Sequence, residues 1–307
     1  MALLDRLTNV KYWIVAALAF GLVIGDIGSI AQIIVMVTLI AMMTASLIGL
    51  EIKREDVTRR KSELVFAVIC CYGIASAAVL LSGMLLEDNL WSGWVLIASV
   101  PCAVSVISAT LIMRGDVKLS ITAVTLIYIV ALVFTPLFTK VMLGNAVSPF
   151  EIVKYVVLFV FLPLLISIPL KRVRIPPKEK NVLINACFFI LIGIAFGVNR
   201  DVIFGETMLV TTTIAASLIR IVAVFLIMEM VLRRIGMVWN LRVVFVLIAV
   251  WKNSALAMTL TLILIPDAEA AMPAAILVPM ETIWLMFMIW YYRREAMRQG
   301  TSLPSMG

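Results

Sequence analysis

Apolar residues run in long, nearly unbroken stretches along the chain, and polar residues collect in the short gaps between them. The stretches fall at Leu7–Gly25, Ile30–Leu50, Leu64–Leu86, Leu90–Met113, Val117–Leu143, Phe150–Leu170, Val182–Val198, Thr207–Leu232, Leu241–Ile265 and Ala271–Tyr292. Each is long enough to carry a helix across roughly 30 Å of hydrocarbon. Strand-period alternation is absent. That removes the closed β-barrel, the other architecture that satisfies its backbone in lipid. The pattern predicts an all-α membrane protein of ten transmembrane helices, one integral domain over residues 1–307.

Composition agrees. The chain is 64% hydrophobic and 14% charged, with a mean hydropathy of +1.14. Soluble domains carry about 25% charged residues, so an ordinary soluble enzyme is excluded. The net charge of +7 does not form one basic face, which argues against nucleic acid as a partner. Instead, 20 of the 25 lysines and arginines fall at the two termini and in the even-numbered gaps. Three, Lys140, Lys154 and Arg200, fall on the opposite side. This asymmetry predicts cytoplasmic N- and C-termini in the inner (plasma) membrane, with lipid as a partner. A cleaved signal peptide is the alternative reading of the first stretch, but it lacks a small-residue cleavage site of the A-x-A type. The chain has no histidine, and its four cysteines show no metal-ligand spacing. No metal, cofactor or nucleotide-binding motif is therefore expected. An intramembrane enzyme would need a clustered nucleophile and base, and none is present. A passive channel remains a further class.

Five spans per half make the second half enter from the opposite side. The expected division is residues 1–145 and 146–307, an inverted repeat of the kind found in secondary transporters. The fourth span contains Pro101 about midway, which removes a backbone hydrogen bond and breaks or kinks the helix. Gly115 follows Pro101 by fourteen residues, and Asp267 follows Asn253 by fourteen. Spans four and nine thus carry interruptions at matching places, although a common proline kink and coincidence would give the same spacing.

Two segments carry a resemblance. They are "PCAVSVISATLIMRGDVKLSITAVTLIYIVALVFTPLF" from Pro101 and "KNSALAMTLTLILIPDAEAAMPAAI" from Lys252. Together they resemble the bile acid:sodium symporter family, whose wider superfamily includes arsenite-efflux transporters. The resemblance implies a core of spans 3–5 and 8–10 packed on a panel of spans 1, 2, 6 and 7. It also implies that broken spans 4 and 9 cross near the membrane centre, with substrate bound beside the crossing. The departures are informative. At positions where such symporters bind sodium through polar side chains, this chain has Val106, Ile107, Val124 and Ile248. Ser120 and Asn253 retain polar positions, and Lys252 stands where the family has glutamine. Valine and isoleucine offer no oxygen ligand, so sodium is not the expected coupling ion.

Lys252 is the twelfth residue of a 25-residue run. It would sit about 16 Å from the near end of a straight helix. Its side chain reaches about 6 Å, too short to snorkel. A charge there costs about 2.5–3.5 kcal/mol on insertion scales and needs a protein or aqueous partner. Two functional readings stand beside simple helix bridging. The ammonium replaces sodium as a permanent tethered cation, or it carries protons during transport. Glu281 in "VPMETIW" and Arg220 in "ASLIRIVA" are also mid-span. Glu281 is expected to pair with Lys252 or Arg220, and Arg220 could instead meet a substrate anion. Glu229 is expected to be merely interfacial. Candidate substrate contacts are Pro101, Cys102, Ser105, Ser108, Ser120, Thr125, Arg220, Asn253 and Ser254, with a small organic anion as substrate. The alternative is arsenite-type efflux through Cys102 and Glu281, which match a cysteine and a glutamate of those relatives.

Overall fold

The computed structural model describes residues 10–48, 58–84, 90–144, 148–170, 175–265 and 267–298. Much of the termini and of the two most basic gaps lies outside these residues. So do Arg6, Lys53, Arg54, Lys171, Arg172 and Arg174 of the charge reading. Thirteen helices form and no sheet does among the described residues. They are α1 (Val10–Ile24), α2 (Ile30–Leu47), α3 (Lys61–Gly83), α4 (Trp91–Ser99), α5 (Ser105–Ile112), α6 (Val117–Leu143) and α7 (Phe150–Leu170). There follow α8 (Pro177–Val198), α9 (Arg200–Gly205), α10 (Thr207–Arg234), α11 (Trp239–Val250), α12 (Ser254–Leu264) and α13 (Met272–Arg298). Seven of these, α2, α3, α6, α7, α8, α10 and α13, contain stretches long and apolar enough to cross a membrane. The predicted fourth and ninth runs are not single helices. Each is two short pieces, α4 with α5 and α11 with α12.

Large apolar side chains cover much of the outside of the helices, and some polar ones are buried within. On α10 the buried face carries Thr213, Ser217 and Arg220, and the exposed face carries Ile214, Leu218 and Ile219. Only a hydrocarbon solvent makes that distribution favourable. α11 is buried on all sides from Arg242 to Val250, which explains why its sequence is apolar all round.

Two π-helical turns have local causes or consequences. Val157–Phe161 in α7 precedes Pro163, whose missing N–H would orphan a carbonyl of a regular helix. Ile69–Ala75 in α3 widens the helix where it faces α11.

α8 lies along α1 and α2, and α2 also packs on α7. Gly21 and Gly25 end α1, and Gly193 and Gly197 lie on α8. A Cβ on Gly21 would overlap the Gly193 carbonyl, so the paired small-xxx-small spacing lets these backbones touch. The other helices surround the broken pieces. α4 packs on α3, α6 and α12, and α11 packs on α10, α3 and α5.

Candidate functional site

The two breaks meet. Pro101 has no N–H and forces Val100 extended (ψ 158°), so α4 stops there. No proline marks the second break. Trp251 turns extended (ψ 103°), and the Asn253 side chain accepts from Leu256 N at 3.1 Å to start α12. The segments pass antiparallel as a single β-bridge between Cys102 and Lys252. Ala103 N donates to Trp251 O at 3.2 Å, and Asn253 N donates to Pro101 O at 2.8 Å.

A helix end leaves carbonyls without partners, and a buried end needs substitutes. For α4 they are hydroxyls. Ser76 Oγ donates to Ala98 O at 2.6 Å, and Thr135 Oγ1 donates to Ser99 O at 2.8 Å. For α11 the substitute is a charge: Arg220 donates to Val250 O at 3.2 Å. Arg220 also donates to Glu281 at 2.9 Å, and Ser254 Oγ donates to the other Glu281 oxygen at 2.9 Å. Glu281 therefore pairs with Arg220 and not with Lys252. Removing one member of such a pair costs about 3–5 kcal/mol.

Lys252 is fully buried, and its ammonium turns away from the ion pair towards α3. It donates to Cys71 O at 3.1 Å and to Ser76 Oγ at 3.2 Å, and lies 5.1 Å from the centre of the Tyr72 ring. Ser76 uses its one hydrogen on Ala98 O, so it presents lone pairs to the ammonium. Carbonyl, hydroxyl lone pair and ring face are all acceptors, which suits a group with three donors and no acceptor. No carboxylate pairs with Lys252 among the described residues. Next to it, the Asn253 amide donates to Tyr128 OH at 2.8 Å and to Met43 Sδ at 3.6 Å. The crossing is thereby tied to α3, α6 and α2.

A cavity of about 350 Å³ opens beside the crossing, between α2 and α8 on one side and α5, α12 and α13 on the other. Ser105, Ser108, Asn253, Ser254, Lys252 and Glu281 line it, as do Met42, Met43, Lys180, Asn181, Asn185, Phe188, Trp251 and Thr282.

The other candidate substrate contacts are placed elsewhere. Pro101 contributes a carbonyl to the crossing. Cys102 is fully buried beside the Cys71 thiol. Ser120 accepts from Thr110 at 3.2 Å on the far side of α5. Thr125 donates to Ile121 O of its own helix at 2.9 Å, a common use of hydroxyls in membrane helices. Arg220 is held by Glu281 and Val250. Val106, Ile107, Val124 and Ile248, the four apolar residues that the resemblance sets at sodium-binding positions, are all buried.

Sequence reasoning missed Cys71, Tyr72 and Ser76 on α3, Tyr128 on α6 and the polar start of α8. The run "CCYGIAS" was an available signal, since tyrosine, glycine and serine interrupt an apolar span. Glu229 was misread. It is 5% exposed and accepts from Arg233, Tyr291 and Tyr292, with Arg242 at 3.0 Å. Glu295 on α13 meets Arg242 at 2.8 Å and also pairs with Arg233. Tertiary packing of α10, α11 and α13 creates this hub, which no single helix pattern shows.

The model of the Sodium Bile acid symporter family matches residues 36–206, more than half of the chain. No curated protein matches. The matched segment holds the first break and the α2 and α8 walls of the cavity, while Lys252 and Glu281 lie beyond it. The described residues form an all-α fold with seven helices long and apolar enough to cross a membrane, and the family match makes this a multi-pass membrane transporter: the chain belongs to the sodium bile acid symporter family, a family of transporters and not of enzymes.

Proposed function

We propose that this transporter is a secondary active carrier of a small organic anion that works without sodium, with the Lys252 ammonium in the position of the ion. The carrying observation is the environment of Lys252 Nζ. A fully buried ammonium is held by the Cys71 carbonyl, the Ser76 lone pair and the Tyr72 ring, and joins the crossing to α3. A tethered cation there stabilises the negative end of α4 without an ion having to be recruited. The burial of Val106, Ile107, Val124 and Ile248 supports the same reading, because sodium would lack side-chain oxygens at those positions.

The architecture proposed is ten membrane passes. The α4–α5 pair and the α11–α12 pair each count as one broken pass, and the halves 1–145 and 146–307 are inverted repeats. Support comes from matched caps. Asp116 accepts from Leu119 N at the start of α6, and Asp267 accepts from Glu269 N just before α13. α3–α6 with α10–α13 would form the core, and α1, α2, α7 and α8 the panel. Both termini would be cytoplasmic in the inner membrane. Arsenite-type efflux through Cys102 and Glu281 has weaker support, since Cys102 does not line the cavity and Glu281 is engaged by Arg220 and Ser254.

The test is solute counterflow in proteoliposomes, with potassium or choline replacing sodium and with a pH series. Wild-type counterflow of an organic anion should be saturable and independent of sodium. Lys252→Gln should lower it at least about tenfold, the size expected for losing a charge-assisted hydrogen bond of about 1.5–3 kcal/mol. Sodium-dependent wild-type counterflow would defeat the proposal. A rate that follows the proton gradient in wild type and loses that dependence in Lys252→Gln would make Lys252 the proton carrier.

A further inference from the structure

One face of α8 gives the cavity both polar and apolar side chains. Residues 180, 181, 184, 185 and 188 share that face at helical spacing, and all five line the cavity. Lys180 and Asn181 stand at the start of the helix, and Phe188 lies two turns further on; Trp251 of the crossing lines the same cavity. The order along this face is cation and amide first, then Ile184 and Asn185, and aromatic surface last.

Three charged side chains belong to the described wall: Lys180, Lys252 and Glu281. Two are engaged elsewhere. Glu281 is held by Arg220 and Ser254, and the Lys252 ammonium is held by α3. Lys180 differs. It is half-buried, and its ammonium donates to the backbone carbonyl of Ile48 at 2.9 Å, just past the end of α2. That contact caps a helix terminus but uses one of three donors. It also holds the charge on the wall of the cavity that α2 and α8 form together.

We propose that Lys180, with the Asn181 amide, is the headgroup subsite of this transporter, and that the ligand is a compact amphipathic monoanion. Its carboxylate or sulfonate meets Lys180, and its apolar body lies along Phe188 and Trp251. This rests on the organic-anion reading and gives it a place and an orientation. One available cation selects one negative charge. A second anionic group would be desolvated against Met42, Met43 and Phe188 without a partner. The volume of about 350 Å³ lies at the small end of the range for small-molecule sites, about 300–1,000 Å³, and sets the compact size. A charge-assisted hydrogen bond in this half-buried setting discriminates an anion from its neutral isostere by about tenfold or more.

The probes are 4-phenylbutanoate and 4-phenylbutanamide, which differ in charge and little in shape. Binding is measured by titration calorimetry on the purified full chain in detergent. Wild type should bind the acid at least about tenfold more tightly than the amide. Lys180→Gln should bind the two equally, with amide affinity unchanged, and Lys180→Arg should restore the preference. Unchanged amide affinity in Lys180→Gln also shows that the cavity is intact. An acid preference that persists in Lys180→Gln overturns this subsite and leaves the organic-anion reading standing. A wild type that does not distinguish acid from amide overturns both. Sodium added to the same titrations tests the Lys252 proposal separately, since Lys180 is on the opposite wall.

Discussion

Three buried charges at the crossing do different work, and their partners explain why. Lys252 is surrounded by acceptors on α3. Arg220 and Glu281 form an ion pair that also completes α11 and holds Ser254 at the start of α12. Lone removal of the arginine leaves a carboxylate in an apolar interior. Arg220→Met should therefore lower the stability of the purified protein by about 3–5 kcal/mol, read as a lower thermal midpoint in detergent. Adding Glu281→Gln to Arg220→Met should recover part of the loss, because the uncompensated charge is then gone. An equal or larger loss in the double variant would mean that Glu281 has stabilising partners besides Arg220. Glu229 teaches the same lesson near the basic end of α10. Its position close to a helix end suggested an interfacial residue, yet it sits under two arginines and two tyrosines from three helices.

Helix ends carry the architecture of the crossing. α4 and α11 stop in mid-structure, and each frees carbonyls that hydroxyls, a guanidinium or the opposite strand then satisfy. Close approach is equally specific. α4 touches the short turn before α13 through Gly93, where a Cβ would overlap the Ala270 carbonyl. Gly93→Ala must push α4 off that turn and should cost about 1–3 kcal/mol or more. Gly205 at the end of α9 has open space around it, so Gly205→Ala should change stability by less than about 0.5 kcal/mol. Thermal melts of the two variants side by side check the contrast, and equal losses would refute the contact reading of Gly93.

Two groups of helices face each other across the cavity, and their contacts differ in kind. α1 and α8 meet through bare glycine backbones, whereas the pieces of the crossing are joined to their neighbours by buried polar bonds. The cavity lies where these groups adjoin, the location expected for alternating access by one group rocking on the other. The proposed orientation can be checked directly. A green fluorescent protein fused after residue 307 should fluoresce, and an alkaline phosphatase fusion at the same place should be inactive. The opposite result would invert the charge-based topology.

Membrane residence, helical architecture, the position of the first break and family membership were all readable from hydropathy, basic clusters and the residues around Pro101. These properties depend on local composition and spacing, which a linear pattern records. The second break was legible only weakly, through the matched spacing of Asn253 and Asp267 and through the resemblance, because no proline marks Trp251 to Asn253. Glu281 had two possible partners until α10 and α13 were seen side by side. Ser120, Thr125 and Cys102 were polar or reactive residues in plausible spans, but Ser120 and Thr125 bond within or between their helices and Cys102 is buried in the bridge of the crossing, so none of the three lines the cavity. Lys180 and Ser76 became visible for the converse reason. Which face a helix turns inward depends on contacts between segments more than a hundred residues apart, and one-dimensional periodicity carries no record of those contacts.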